Sequence, residues 1–138
     1  MTTNATSGLV LFAHGARDPL WAEPFQRLIA KLNAKRAGVP AELAFLEHMQ
    51  PDLTTAIERL AARGVERITL VPLFMGRGGH LRRDLPQIVA RACEANPGVL
   101  VRTTDAIGEV DALLNAITDW MLDEHDRTDQ ADLGHPLA

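Results

Sequence analysis

The sequence predicts an α/β fold, a doubly wound three-layer sandwich around a four-stranded parallel sheet. Four short apolar runs alternate with four segments whose apolar residues recur at helical spacing, a pattern typical of β-α units joined by right-handed crossovers. The first and third runs are the most continuously apolar, as expected of strands buried on both faces, whereas the other two carry polar interruptions. We therefore predict the strand order 2-1-3-4.

Composition restricts the class of protein. The chain has 138 residues, about one domain, and its net charge of −4 argues against nucleic-acid binding. The single cysteine, Cys93, excludes an intramolecular disulfide and suits a reducing cytoplasm. No signal peptide is visible, and no apolar run reaches the roughly 20 residues of a membrane span. We expect one cytoplasmic domain over 1–124 without nucleic-acid or membrane partners, followed by a mobile tail over 125–138.

The first two β-α units are predicted as follows. A strand over 8–13 precedes a helix over 20–35, and a strand over 41–46 precedes a helix that Asp52 caps and Gly64 ends. The apolar stripe of the first helix has helical spacing, with Trp21, Phe25, Leu28, Ile29 and Leu32. The core face of the second helix is expected to hold Leu53, Ile57, Leu60 and Ala61.

The last two units continue the alternation. A third strand over 67–73 leads to a helix from near Asp84 to 95, with Pro86 in the first turn, where proline is tolerated. Asp84 would cap that helix, and Cys93 would pack within it. A fourth strand over 99–104 precedes a last helix over 109–124. This last helix is expected to bury Val110, Leu113, Leu114, Ile117 and Met121.

Two histidines follow the two central strands, and each stands next to glycine. His14 follows the first strand and His80 follows the third. The order 2-1-3-4 reverses direction between these strands, and open α/β sheets bind ligands outside the carboxyl ends of strands at such a point. Neutral imidazole binds first-row divalent metals and titrates near neutral pH. The pair can therefore hold a metal or move protons, unless the two are simply isolated polar loop residues.

Other polar residues belong to the same edge of the predicted sheet. Glu47 follows the second strand and can complete a metal site or accept a proton, although a solvated glutamate is an equal alternative. His48 is a weaker candidate because adjacent loop side chains usually diverge. Four arginines fall on the two loops that carry His14 and His80, although the chain as a whole is acidic. This local excess of positive charge indicates an anionic substrate, and a solvated basic face is the alternative. These arginines are Arg17, Arg77, Arg82 and Arg83.

The glycine-rich run at 76–79 permits unusual backbone angles and close approach of a ligand. It matches neither the phosphate loop of ATP-binding proteins, since no Gly-Lys-Ser/Thr follows, nor the dinucleotide fingerprint. We therefore expect neither ATP nor NAD, and no organic cofactor.

Three motifs together resemble those of the small sirohydrochlorin chelatases of the CbiX type, over about residues 9–104. The stretch HGARDP at 14–19 is similar to the family motif HGSRDP, and AFLE at 44–47 with QP at 50–51 resembles the second-strand motif. The stretch VPLFM at 71–75, with GH at 79–80 and DLP at 84–86, resembles the signature PLFL…GH…DIP. The chain departs from the family at Ala16, where serine is usual, and at Met75.

The resemblance implies a chelatase-like fold and an ATP-independent lyase that inserts a divalent metal into sirohydrochlorin, in cobalamin or siroheme biosynthesis. The metal is a substrate, Co²⁺ foremost, with Fe²⁺ and Ni²⁺ as alternatives. His14 and His80 would bind it and help remove the pyrrole protons, assisted by Glu47. The four arginines, with Gly78 and Gly79, would hold the tetrapyrrole. Small members act as homodimers, so a second copy would supply the second wall of the crevice.

Two other functions fit the same residues. In histidine phosphatases and mutases a strand is also followed by a histidine-glycine loop. Those enzymes require an arginine just before the histidine, where this chain has Ala13. A metal or tetrapyrrole carrier could use the same fold, because fold does not fix function. Phosphohistidine formation would favour the first alternative, and binding without turnover the second.

Overall fold

The computed structural model describes residues 6–76 and 78–131. One sheet of four parallel strands has the order β2-β1-β3-β4, which confirms the prediction. The strands are β1 (Thr6–Ala13), β2 (Ala41–Phe45), β3 (Val65–Pro72) and β4 (Leu100–Thr103), and the helices are α1 (Glu23–Lys35), α2 (Leu53–Ala62), α3 (Gly79–Glu94) and α4 (Asp111–Gln130). Short 3-10 helices lie at Pro19–Ala22 and Ile107–Glu109. Within the described ranges, no helix is long and apolar enough to cross a membrane.

The two faces of the sheet are covered unequally. Successive strand residues point to opposite faces, so Phe12 belongs to the core under α2 and α3, whereas Ala13 belongs to a smaller cluster under α1. The larger core has a continuous set of fully buried side chains, including Val10, Phe12, Ile57, Leu60, Leu70 and Leu85. The smaller cluster contains three buried residues, Ala13, Ala22 and Phe45. Most of the apolar burial therefore lies on the α2–α3 side.

Helix α2 forms as the sequence predicts. The Asp52 carboxylate accepts a hydrogen bond from the Thr55 backbone N–H at 2.9 Å and so caps the helix. That hydrogen bond lowers the pKa of Asp52 from its ordinary value. Gly64, with φ +85°, ends the helix in the left-handed conformation. Three residues of the predicted core face are buried, with Leu53 3% and Ile57 and Leu60 0% exposed, whereas Ala61 is only partly buried.

Helix α3 begins five residues earlier than predicted. It starts at Gly79, so Asp84 lies in its second turn and is not its cap, and Pro86 lies inside the helix. The physical reason is apolar burial: Leu81 packs against the main core and Leu85 is 2% exposed, which extends the inward stripe by one turn. This burial outweighs the hydrogen bond that Pro86 cannot donate. Cys93 is partly buried, and burial raises the pKa of its thiol.

Helices α1 and α4 are more exposed than predicted. No residue of α1 is buried, and Leu28 of its expected stripe is 43% exposed. Helix α4 also has no buried residue, and Val110, which precedes it, is only partly buried, so the predicted burial of Val110, Leu113, Leu114, Ile117 and Met121 is wrong. Amphipathic spacing reveals that a helix has an apolar face but does not identify what covers it.

The last helix is also longer than its apolar pattern. It runs to Gln130, so the segment 125–130, predicted as part of a tail, is helical, and residues 132–138 lie outside the described ranges. Each residue added to an existing helix gains one hydrogen bond, and a Glu124–Arg127 ion pair of 3.8 Å supports the last turns. The segment 125–130 contains no apolar residue, so the apolar pattern ends before the helix does.

Candidate metal and tetrapyrrole site

His14 lies directly beyond the carboxyl end of β1, and its side chain is exposed. Its ring packs on Phe74, with 4.3 Å between ring centroids and 46° between planes. Phe74 is 2% exposed and contacts Phe12 of the core edge to face, with centroids 6.0 Å apart. The buried phenyl group thus supports one side of the imidazole and leaves its other side open to a ligand. Sequence reasoning missed this role of Phe74, which looks like an ordinary apolar residue at the end of a strand.

The loop that follows β2 is joined to the His14 loop through the backbone. The Glu47 N–H donates to the His14 carbonyl oxygen at 3.0 Å. Gly15 makes this possible, because it has φ +94° and an added Cβ would overlap the Glu47 carbonyl oxygen. The structure therefore brings Glu47 beside His14, as the predicted topology requires.

The side chain of Glu47 is largely exposed and has a neighbour that sequence reasoning discounted. His48 Nε2 lies 3.8 Å from Glu47 Oε1. His48 has φ +66°, a left-handed conformation that is uncommon outside glycine. This backbone conformation brings the adjacent side chains of Glu47 and His48 close together instead of letting them diverge. No local pattern in the sequence predicts it.

His80 lies in the first turn of α3 and is exposed. Its loop follows β3, next to β1 in the sheet, so both predicted histidines lie beyond the carboxyl ends of the central strands. Gly78 precedes the helix with φ −64°, and a Cβ added to Gly76, Gly78 or Gly79 would meet no atom within 4 Å. Neither unusual backbone angles nor crowding requires these glycines. At their own positions, these three glycines add no side chain to the surface at the start of α3.

The loop after β4 braces the loop after β3. The Gly108 N–H donates to the Phe74 carbonyl oxygen at 3.1 Å. Glu109 Oε1 accepts from the Ala106 N–H at 3.0 Å, while its Oε2 lies 3.5 Å from an Arg82 guanidinium nitrogen. Arg82, predicted to bind substrate, is thus held toward Glu109. Sequence reasoning missed Glu109, although its position just after the fourth strand would have been a usable signal.

Two of the other predicted substrate-binding arginines have exposed side chains. Arg17 and Arg83 are exposed on the loop after β1 and on α3, whereas Arg77 lies outside the described residues. In the part of the chain that the structure describes, no three His, Cys, Asp or Glu side chains are grouped closely enough to hold a metal ion. His14, Glu47 and His80 are all exposed at this edge of the sheet and do not form a closed ligand set.

Comparisons with known proteins agree with this architecture. A family model described as CbiX matches residues 8–124. The sirohydrochlorin cobaltochelatase of Methanococcus aeolicus is 33% identical over 81 residues, which cover 59% of this chain and 57% of that protein. The sirohydrochlorin cobaltochelatase of Methanothermobacter thermautotrophicus is 35% identical over 82 residues, with the same shares. The aligned region thus spans a little over half the length of these curated relatives.

Solved structures share the fold. A putative cobalamin biosynthesis CbiX protein from Marinobacter aquaeolei is 37% identical, with a TM-score of 0.75 over 88% of this chain and 98% of that one. SirB from Bacillus subtilis subspecies spizizenii, in complex with cobalt, has a TM-score of 0.72 at 24% identity, over 86% of this chain and 50% of that one. One copy of this fold thus corresponds to half of the longer SirB chain.

Proposed function

Since this chain belongs to the CbiX family, we propose that it inserts a divalent metal into sirohydrochlorin without ATP. The family match over residues 8–124 is the observation that carries the proposal. The two curated relatives above are named sirohydrochlorin cobaltochelatases. The chain has no phosphate loop, and metal insertion is a ligand exchange that needs no phosphoryl donor.

His14 and His80 are the proposed metal ligands. Both side chains are exposed beyond the central strands, and neutral imidazole binds cobalt, iron and nickel. A chelatase has to give its metal up to the tetrapyrrole, so an open set of few protein ligands serves it better than a closed site. The tilted packing of the His14 ring against Phe74 would orient this proposed ligand before the metal binds.

Proton removal is the second part of the reaction. Insertion of M²⁺ displaces two pyrrole N–H protons, which must pass to bases near the macrocycle. We assign one acceptor role to Glu47, whose exposed carboxylate follows a backbone that is hydrogen-bonded to His14. Neutral imidazole of the histidine pair is the other acceptor, once the metal has left it.

Recognition of the tetrapyrrole is assigned to the positive charges of the same edge. Sirohydrochlorin carries several carboxylates, which suit paired hydrogen bonds from Arg17, Arg77 and Arg83. Arg82 would act together with Glu109, which orients its guanidinium. Gly78 and Gly79 leave room for the macrocycle to approach the start of α3.

The proposed functional unit is a homodimer. One chain offers a single open wall of exposed residues, and a flat macrocycle needs a second wall to exclude water. The fold of one chain covers 50% of the SirB chain, and a second copy would supply the rest. A single cysteine suits the proposed cytoplasmic location.

An optical assay tests this function. Purified protein is mixed anaerobically with sirohydrochlorin and Co²⁺, and the absorbance change is followed against a protein-free sample, with Fe²⁺ and Ni²⁺ in parallel. The proposal predicts faster insertion with protein for at least one metal, with Co²⁺ expected to be the fastest. Tight binding of metal or tetrapyrrole without faster insertion would replace the chelatase with a carrier.

A further inference from the structure

Two exposed apolar side chains lie on the segments that follow the two central strands. Leu20, in the 3-10 helix after β1, is 72% exposed, and Met75, on the loop after β3, is 61% exposed. Within the described ranges, the other exposed large apolar side chains lie on α1, on α4 and at the start of β4. Neither Leu20 nor Met75 packs in the two apolar clusters of the fold. We call these two residues the apolar pair.

The backbone of Met75 is held by the loop that follows β4. A Cβ added to Gly108 would overlap the backbone of Met75, so this close approach requires glycine. The Gly108 N–H also donates to the carbonyl oxygen of Phe74, the residue before Met75. Phe74 itself is buried and contacts the His14 ring. The fold therefore presents the exposed Met75 side chain from a constrained backbone, one residue away from the support of His14.

The backbone of Leu20 is constrained in a similar way. The Leu20 N–H donates to the Asp18 carboxylate at 2.9 Å, and the Trp21 N–H donates to the Asp18 carbonyl oxygen at 3.0 Å. The Trp21 ring packs against Phe25, with 4.7 Å between ring centroids, and Ala22 is buried in the smaller cluster. The residues on both sides of Leu20 are thus anchored, while its own side chain remains in solvent.

The sheet topology brings the apolar pair to the candidate site. Strands β1 and β3 are neighbours, about 4.8 Å apart, so the segments after them lie side by side beyond the same edge. A tetrapyrrole bound at His14 and His80 would lie against both segments. Its ring has a flat apolar face and carries carboxylates at its rim. Arginines suit the carboxylates, but the apolar face needs apolar contacts. Exposed apolar residues beside the exposed Arg17 and Arg83 match such a ligand.

We propose that Leu20 and Met75 contact the apolar face of the macrocycle and hold its plane across the carboxyl ends of β1 and β3. This inference rests on the proposed function and adds two positioning residues to it. The contact favours a flat macrocycle over other polycarboxylates, which have no apolar face to cover the pair. Burial of one side chain of this size on ligand binding strengthens the binding by about 10-fold or more.

The affinity for metal-free sirohydrochlorin tests the proposal separately from metal insertion. An absorbance titration gives the Kd of wild type and of each variant. Met75→Gln, which keeps the length of the side chain but makes it polar, should weaken binding about 10-fold, and Leu20→Gln should have a similar effect. Met75→Leu should bind as wild type does, because it restores an apolar contact without sulfur. Wild-type affinity in either glutamine variant, or a loss in Met75→Leu, would overturn the proposal.

Leu100→Gln is the matched control for the loss of an exposed apolar side chain. Leu100 is 71% exposed and lies at the amino end of β4, on the opposite edge of the parallel sheet from the site. Leu100→Gln should therefore keep the wild-type Kd. A loss of affinity equal to that of Met75→Gln would show a general effect of surface polarity and would overturn the proposal.

Salt separates the apolar contact from the charged ones. Because salt screens charges but not apolar contacts, the ratio of the Kd of Met75→Gln to that of wild type should be the same at about 0.05 M and about 0.5 M NaCl. The corresponding ratio for Arg83→Gln should fall towards one as the salt concentration rises. A ratio for Met75→Gln that falls in the same way would contradict an apolar contact.

Two further measurements exclude other roles of Met75. Co²⁺ binding without tetrapyrrole should be unchanged in Met75→Gln, and its loss would assign the thioether to the metal instead. The molecular mass from light scattering should also be unchanged, and a lower mass would assign Met75 to a contact between copies. Either result would overturn the proposal. Failure of wild type to bind sirohydrochlorin would refute the proposed function itself, whereas wild-type binding that is insensitive to the apolar pair would refute only this inference.

Discussion

Replacing Gly15 with alanine should disrupt the link between the His14 loop and the Glu47 loop. Two costs add at this position. Alanine at φ +94° is strained by about 1–2 kcal/mol, and its Cβ would overlap the Glu47 carbonyl oxygen. Relieving that overlap requires the backbone to move, which typically costs about 1–3 kcal/mol more. We expect Gly15→Ala to lower the free energy of unfolding by about 2–5 kcal/mol.

Gly64→Ala is the matched control, because Gly64 has φ +85° but nothing lies within 4 Å of its added Cβ. Gly64→Ala should lower the free energy of unfolding only by the cost of the left-handed conformation, about 1–2 kcal/mol. Both variants are compared by urea unfolding, and the folded fraction of each is then tested for metal insertion. Gly15→Ala should also lose most of its activity, because the displaced Glu47 backbone carries the proposed base. Equal losses of stability and full activity in both variants would refute the reasoning.

Three further predictions concern single side chains. Asp52→Ala should lower the free energy of unfolding by about 1 kcal/mol at neutral pH. Because the folded state lowers the pKa of Asp52, this difference from wild type should vanish in acid as pH falls through that lowered pKa. A pH-independent difference in urea unfolding would contradict the cap. Phe74→Leu should slow metal insertion several-fold, because it removes the support of the His14 ring. Phe12 is equally buried, so Phe12→Leu should reduce stability without changing the insertion rate, and equal rates in the two variants would contradict this role of Phe74. Cys93 should react with iodoacetamide at pH 8 more slowly in folded than in urea-unfolded protein, because burial raises the pKa of its thiol, and equal rates would contradict that burial.

The strand order of the sheet was predictable because it follows from the apolar pattern within each strand. Continuous apolar runs in β1 and β3 and interrupted runs in β2 and β4 give the strand order. The strand order in turn predicts that His14 and His80 lie at the same edge of the sheet. Helix α2 was equally clear, since its cap, its apolar stripe and its terminating glycine agree with one another.

The errors arose where tertiary contacts decide the structure. Pro86 suggests a helix start, but the burial of Leu81 and Leu85 extends α3 past it toward the N-terminus. The stripe of α4 suggests burial, but no periodicity can tell whether the covering surface belongs to the same chain or to another. In the site, the contact between the Phe74 and His14 rings and the left-handed backbone of His48 depend on neighbouring loops that meet only after folding.

The most direct test of the central claim is the rate of Co²⁺ insertion into sirohydrochlorin by three single histidine variants. His14→Ala and His80→Ala remove the two proposed metal ligands, while His125→Ala removes a histidine in α4 whose side chain is 72% exposed. We predict that the first two variants lose at least about 100-fold in rate, the range for removal of a catalytic proton acceptor, while His125→Ala keeps the wild-type rate. Wild-type rates for folded His14→Ala and His80→Ala would contradict the account.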